Sequence, residues 1–156
     1  MVPVVSLSPA VKAHAESLAL RRHESSQRRR SRGAHGGPSS GAESLAIHQA
    51  GAYGECAYAV FEDLALPDHV DVFNVPDFHP NVAIRTRRKW DYELYRRRTE
   101  PAEWIYVLVT LMPGPVCHLR GWMFGNDMAQ HVWLQGHGGR EPAWFVPTDH
   151  LITMSH

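Results

Sequence analysis

One run of seven residues, Trp104-Ile105-Tyr106-Val107-Leu108-Val109-Thr110, constrains the fold more than any other feature of the chain. Aromatic and β-branched side chains dominate it, and both of its alternating sets are apolar. A strand of this kind has to be covered on both faces, so the pattern predicts the centre of a sheet. Shorter strand patterns lie at residues 70–75, 81–86 and 92–95 before it, and at 116–124 and 143–146 after it. In residues 81–86, alternation sets Val82 and Ile84 on one face and Ala83 and Arg85 on the other. Met112-Pro113-Gly114-Pro115 reads as a turn. Residues 126–133 read as a short helix capped by Asn126, and residues 135–142 as a glycine-rich loop.

Two helical patterns precede the strands. Ser8 can cap a helix whose first position is Pro9, where a missing N–H costs nothing. Val11, Ala15 and Leu18 then share a face, with Arg22 at the end of the same stripe. This helix is expected to fray into the run Arg28-Arg29-Arg30. The second pattern covers residues 48–66, with Ala50, Tyr53, Ala57, Val60, Phe61 and Leu64 at three- and four-residue steps before Pro67. Between the helices, Gly, Ser and Pro dominate residues 31–44, a composition expected to form a flexible, protease-sensitive connection near Gly36 and Gly37. The division predicted is an N-terminal helix over 1–30, loosely attached, a loop over 31–44, and a core over 45–156. The fold class predicted is α+β (or α/β), with a single mixed sheet flanked by helices.

At 156 residues the chain has room for one domain. A 44% hydrophobic and 21% charged composition excludes a disordered chain, collagen and a coiled coil. No apolar stretch approaches the ~20 residues of a spanning helix, which predicts no membrane partner and, with two free buried thiols at Cys56 and Cys117, a cytoplasmic location. Net charge is zero, yet residues 33–84 hold seven acids and no Lys or Arg, between two arginine-rich clusters. That asymmetry suits a site that holds a metal and meets a polyanion. P-loop and nucleophile-elbow motifs are absent.

The acidic middle contains the candidate site. Glu55 lies in Gly51-Ala52-Tyr53-Gly54-Glu55-Cys56-Ala57, where small neighbours let a helix pack closely on a sheet. An acid beside such a face needs a partner. Asp77 follows Pro76 at a strand end, and Arg85 lies on the next strand. Two converging carboxylates can hold a hard divalent ion, which activates water and screens phosphate charge. The bland alternative is a structural Glu55–Arg85 ion pair across the helix–sheet seam.

Glu55, Pro76-Asp77 and Ala83-Ile84-Arg85 together resemble the pattern of the PD-(D/E)xK nuclease-like superfamily. That pattern sets an acid on the first core helix, an aspartate at the second strand, and a Glu or Gln, one spacer and a Lys on the third. Residues 51–57, 75–92, 107–110, 121–127 and 143–151 are also similar to a group of small phage and actinobacterial proteins. The resemblance implies a restriction-endonuclease-like core and phosphodiester hydrolysis by Glu55, Asp77 and Arg85. It also implies Mg2+, with Mn2+ as substitute, held by Glu55, Asp77 and the Ile84 carbonyl, and nucleic acid as the partner, DNA before RNA. Two positions depart from the pattern. Ala83 supplies no ligand, and Arg85, always protonated, can hold phosphate but not act as a base. The resemblance therefore carries two outcomes: a slow metal-dependent nuclease, or a non-catalytic nucleic-acid-binding or accessory protein on the same fold.

Two further patterns stand beside it. Arg87-Arg88-Lys89-Trp90, followed by Tyr92, interleaves cations and aromatics as phosphate contact and base stacking require. Among eleven histidines, His69-x-Asp71 has the spacing of two ligands of a non-haem iron oxygenase, with His118, His131 or His150 as a third. His79 adjoins the Asp77 site and is a loop residue or a ligand.

Overall fold

The structure, a computed structural model, describes residues 1–31 and 41–156. The expected cleavage points at Gly36 and Gly37 lie outside the described residues. Two long helices, α1 (Pro9–Ser31) and α2 (Gly41–Phe61), pack against each other. The strands are β1 (Val4–Ser6), β2 (Val82–Arg87), β3 (Leu94–Arg97), β4 (Ile105–Met112), β5 (Val116–Phe124), β6 (Leu134–Gln135) and β7 (Ala143–Val146). A four-residue helix α3 (Gly125–Met128) and two 3-10 turns, at His131–Trp133 and Thr148–His150, complete the chain.

The class is α+β, but the strands divide into two sheets where one was expected. The larger is mixed, in the order β1-β5-β4-β2, and the smaller is antiparallel, β3-β7-β6. The split has a topological cause. β2 and β4 run parallel, so the chain must cross over between them, and β3 is set aside into the second sheet on the way. The central-strand reading of residues 104–110 matches β4, which lies between β5 and β2. Val107 and Val109 enter a core under α2 with Ala57, Ile84 and Leu119, whereas Tyr106 and Leu108 enter a second core with Leu94, Met123 and Val146. This two-sided burial is what the uninterrupted apolar pattern demanded.

Four local readings are corrected. Helix α1 does not fray at the arginines but continues to Ser31, and it is not loosely attached: Ala15, Leu18 and Ala19 are fully buried against Ala52 and Cys56 of α2. Ser8 caps it through Oγ, which accepts the Val11 N–H at 3.2 Å. Residues 70–75 form no strand. Asp71 and Asn74 have left-handed φ of 57° and 58°, and the segment is clasped to α1 side chains instead of a sheet. The helix expected over 126–133 is two short turns, preceded by Phe124, with no side-chain cap from Asn126. Residues 4–6, ahead of the helix start read at Ser8 and Pro9, pair antiparallel with β5 as an edge strand.

Gly54 and Gly121 are required by close approach. A Cβ built on Gly54 would lie 1.8 Å from Thr86 Oγ1, so α2 lies directly on β2. Gly121 has φ of 142°, and a Cβ there would meet the Ile152 carbonyl at 2.8 Å. The bare backbone lets the C-terminal segment cross Trp122, with hydrogen bonds between Trp122 and Ile152 in both directions.

Candidate metal and anion site

Close packing at Gly54 sets the neighbouring Glu55 at the seam between α2 and the edge of β2, where it is 7% exposed. Arg22 of α1 meets it with a two-pronged fork: Nη1 donates to Oε1 at 3.0 Å and Nη2 to Oε2 at 2.9 Å. Arg22 Nε donates to the His69 carbonyl at 3.1 Å, which ties the 66–77 segment to α1. The same helix holds that segment elsewhere. His14 meets the Pro67 carbonyl at 2.7 Å, Arg21 meets Asp68 at 2.5 Å, and Ser25 and Arg29 both hold Asp71.

The segment delivers Asp77 to the free edge of β2. Phe78 and Val82 exchange two backbone hydrogen bonds, and this tight return sets Asp77 Oδ2 to accept the Ile84 N–H at 2.6 Å. The other Asp77 oxygen has no protein partner among the described residues. Donor atoms of Glu55, His69 and Asp77 all lie within 4.8 Å of one another. A cavity of about 190 Å³ adjoins them, lined also by Arg22, His48 and Phe73.

The electrostatics match the geometry. Burial first, and then the Glu55 charge, push the Asp77 carboxyl up to about 6, against the pull of the Ile84 N–H and Arg85. Burial, followed by the Arg22 charge, holds the His69 pKa below its ordinary value, so its imidazole is neutral at pH 7. A neutral imidazole beside two carboxylates is a donor set for a divalent ion. The imidazole suits Mn2+ better than Mg2+, which prefers oxygen alone. Arg22 engages Glu55 through its fork and also donates from Nη2 to His69 Nε2 at 3.1 Å, so an ion would meet Asp77 first, with His69 and Glu55 joining as Arg22 loosens.

The sequence-predicted residues are only partly brought together. Glu55 and Asp77 meet, as two carboxylates on neighbouring elements should. Arg85 stands on the far side of Asp77, in a second cleft of about 460 Å³ that also holds Ala83, Glu100 and Trp104. Its partner is Glu100, at 2.5 Å, and not Glu55. Its Nη1 donates to the Ile84 carbonyl at 3.3 Å, the group expected to help hold a metal. Burial works against the Arg85 charge, but Glu100 and Tyr95 outweigh it and keep the guanidinium firmly protonated.

Arg87, Arg88, Lys89 and Trp90 do not form one surface. Arg87 and Lys89 both stack on Tyr92, at 4.6 and 5.3 Å. Arg88 turns to a shallow cleft beside Lys12 and Glu16, and Trp90 is covered by Arg120 at 3.6 Å. Arg96 is buried and structural, donating to the Glu100 and Gly125 carbonyls. The oxygenase pairing fails on the same grounds. Asp71 is engaged by Ser25 and Arg29, and His118 and His150 pack on Trp90 and Trp133. His79 is exposed and stays outside the ligand group, leaving it a loop residue. Cys56 and Cys117 are free and buried, and burial pushes both thiols up to about 12.

Two roles in the cluster were not reached by sequence reasoning: the Arg22 fork on Glu55, and the meeting of His69 with Glu55 and Asp77 in place of Asp71. The signal for Arg22 was present: an arginine that continues the buried Ala15–Leu18 stripe requires a carboxylate across the helix seam. For His69 the signal was the His69-x-Asp71 spacing, which pairs it with a different carboxylate, because its position depends on the loop. No helix among the described residues is long and apolar enough to cross a membrane. Comparison of the chain with family models, curated proteins and solved structures found no match.

Proposed function

We propose that the chain is a nucleic-acid-contacting, divalent-metal-dependent phosphodiester hydrolase, a degenerate PD-(D/E)xK-like enzyme acting in the cytoplasm. The observation that carries this reading is the meeting of Glu55, His69 and Asp77 within 4.8 Å beside a cleft headed by Arg85. A bound divalent ion would supply an activated water and a Lewis acid for the phosphate. Asp77 and His69 would hold that ion, and Ile84, through its N–H, fixes the orientation of the Asp77 carboxylate. Arg85 would hold non-bridging phosphate oxygens by exchanging its Glu100 and Ile84 contacts for them. Because Ala83 offers no ligand, the site would bind metal weakly and turn over slowly.

The Arg22 fork favours a second reading. A guanidinium that occupies both Glu55 oxygens can replace a metal outright, and the protein then binds nucleic acid without cutting it. Labelled DNA and RNA, incubated with the full chain in Mn2+, Mg2+ or EDTA, separate the two. The first reading expects slow cleavage, stronger in Mn2+ and lost in Asp77→Ala. Salt-sensitive binding with no cleavage in either metal would establish the second, and neither binding nor cleavage would overturn both.

A further inference from the structure

Three clefts share walls along the open side of the molecule. The cavity at Glu55 and the Arg85 cleft share Asp77, and the Arg85 cleft shares Arg97 and Thr99 with a third cleft of about 520 Å³. β2, β3, β7 and the loop between β6 and β7 wall this third cleft. Its volume lies in the range of ligand-binding pockets.

The lining is strongly cationic. Arg87, Arg97, Arg98 and Arg140 enter it against a single acid, Glu141. None of the four arginine side chains has an ion pair among the described residues, and Arg87 Nε is buried with no hydrogen-bond partner. The rest of the wall is aromatic. Tyr95 and Phe145 lie 6.1 Å apart between ring centres, His137 meets Phe145 edge-on at 4.9 Å, and Tyr92 is exposed at the rim. Arg87 stacks on both Tyr92 and Tyr95, at 4.6 and 5.0 Å, so a base takes the place of a cation that turns to its phosphate: guanidinium forks with no carboxylate partner recognise anionic oxygens, and aromatic rings recognise a flat ring. A nucleotide carries both.

We propose that this cleft seats one nucleotide of a single-stranded nucleic acid. Its phosphate rests on the arginines, its base lies against the aromatic wall, and the strand continues past Arg97 and Arg85 to Asp77. A single strand is required because bases in a duplex stack on one another and offer no free face. The path toward Asp77 rests on the hydrolase reading, but occupancy of the cleft does not.

Binding is therefore measured in EDTA, with the full chain and a fluorescent octamer of thymidylates. Abasic DNA of the same length and a sixteen-base-pair duplex serve as comparisons. The octamer should bind about tenfold more tightly than the abasic strand, the scale of one stacked base, and more tightly than the duplex. Arg140→Gln and, independently, Arg98→Gln, both at exposed positions, should each weaken binding several-fold. Each should also reduce the slope of log affinity against log salt by about 0.7. Tyr92→Leu should narrow the gap between octamer and abasic strand and leave the slope unchanged. Equal binding of octamer, abasic strand and duplex would overturn the proposal, as would unchanged binding in both arginine variants. The expected pattern without cleavage in Mn2+ would keep this site and defeat the hydrolase reading. Cleavage that ignores all three substitutions would do the reverse.

Discussion

Asp77 gives the sharpest test of the site's electrostatics. Its carboxyl is raised from an ordinary value of 3.8 to about 6 because burial and the Glu55 charge both oppose ionisation. The folded protein thus holds this proton more tightly than the unfolded chain does. Between pH 4 and pH 6 the folded state binds more protons, so its stability falls as pH rises through that window and then levels off. A shift of about two units at about 1.36 kcal/mol each gives a loss of roughly 2–3 kcal/mol by pH 7. Asp77→Asn removes the titration, and its amide oxygen can still accept the Ile84 N–H that Oδ2 accepts at 2.6 Å. The variant should match the parent near pH 4 and exceed it by roughly 2–3 kcal/mol near pH 7.5. Urea denaturation at half-unit pH steps in EDTA measures both curves. Arg85, His69 and Glu55 also face Asp77, so the difference between the curves is the relevant quantity. Parallel curves, or a variant less stable at pH 7.5, would refute the reasoning. Saturating Mn2+ should flatten the parent's slope, because a bound cation favours the ionised carboxylate.

Two further substitutions probe the frame around the site. Arg22→Met leaves Glu55 buried without its fork and should cost about 3–5 kcal/mol, as for other broken buried pairs; the double variant Arg22→Met/Glu55→Met should recover most of that loss in the same urea assay. Gly54→Ala drives a methyl into Thr86, 1.8 Å from Oγ1 and 2.9 Å from Cβ, and should lower stability by about 1–3 kcal/mol or more, while Gly54→Ala/Thr86→Ala should regain only the part due to Oγ1, measured by thermal melting.

How much of this was legible depends on where each residue's partners lie in the chain. β4 was readable because its burial on both faces is written in consecutive residues, and β2 because alternation alone separates Ile84 from Arg85. Glu55 was readable because Gly51, Ala52, Gly54 and Ala57 announce a helix packed tightly on a sheet. The 66–77 segment was not. Val70, Val72, Phe73 and Val75 give it the β-branched and aromatic content of a strand, but the conformation is decided by Arg22, Ser25 and Arg29, forty or more residues away. The two-sheet arrangement was equally hidden, because nothing local in β3 says that it pairs with β7 and not with β2.

The same long-range dependence bears on the site itself. Each donor in the cluster is held by a different element: Glu55 by α2, His69 by the clasp to α1, and Asp77 by the Phe78–Val82 return. Among the described residues, Arg22 is the one side chain that touches two of them, Glu55 through its fork and His69 through both Nε and Nη2. It therefore fixes the spacing of the donors while competing with a cation for both of them. Those two effects oppose each other in any metal-binding assay. Arg22→Met would free Glu55 and strengthen metal affinity if charge competition dominates. It would weaken affinity if loss of the His69 clasp dominates. The paired contact makes the clasp the larger effect, since an ion can still bind through Asp77 and His69 alone only if His69 stays in place. Mn2+ titration of the parent, Arg22→Met and His69→Ala, followed by isothermal calorimetry, should then show both variants weakened. A tighter Arg22→Met would instead make Arg22 a built-in counter-cation standing where the metal would otherwise sit.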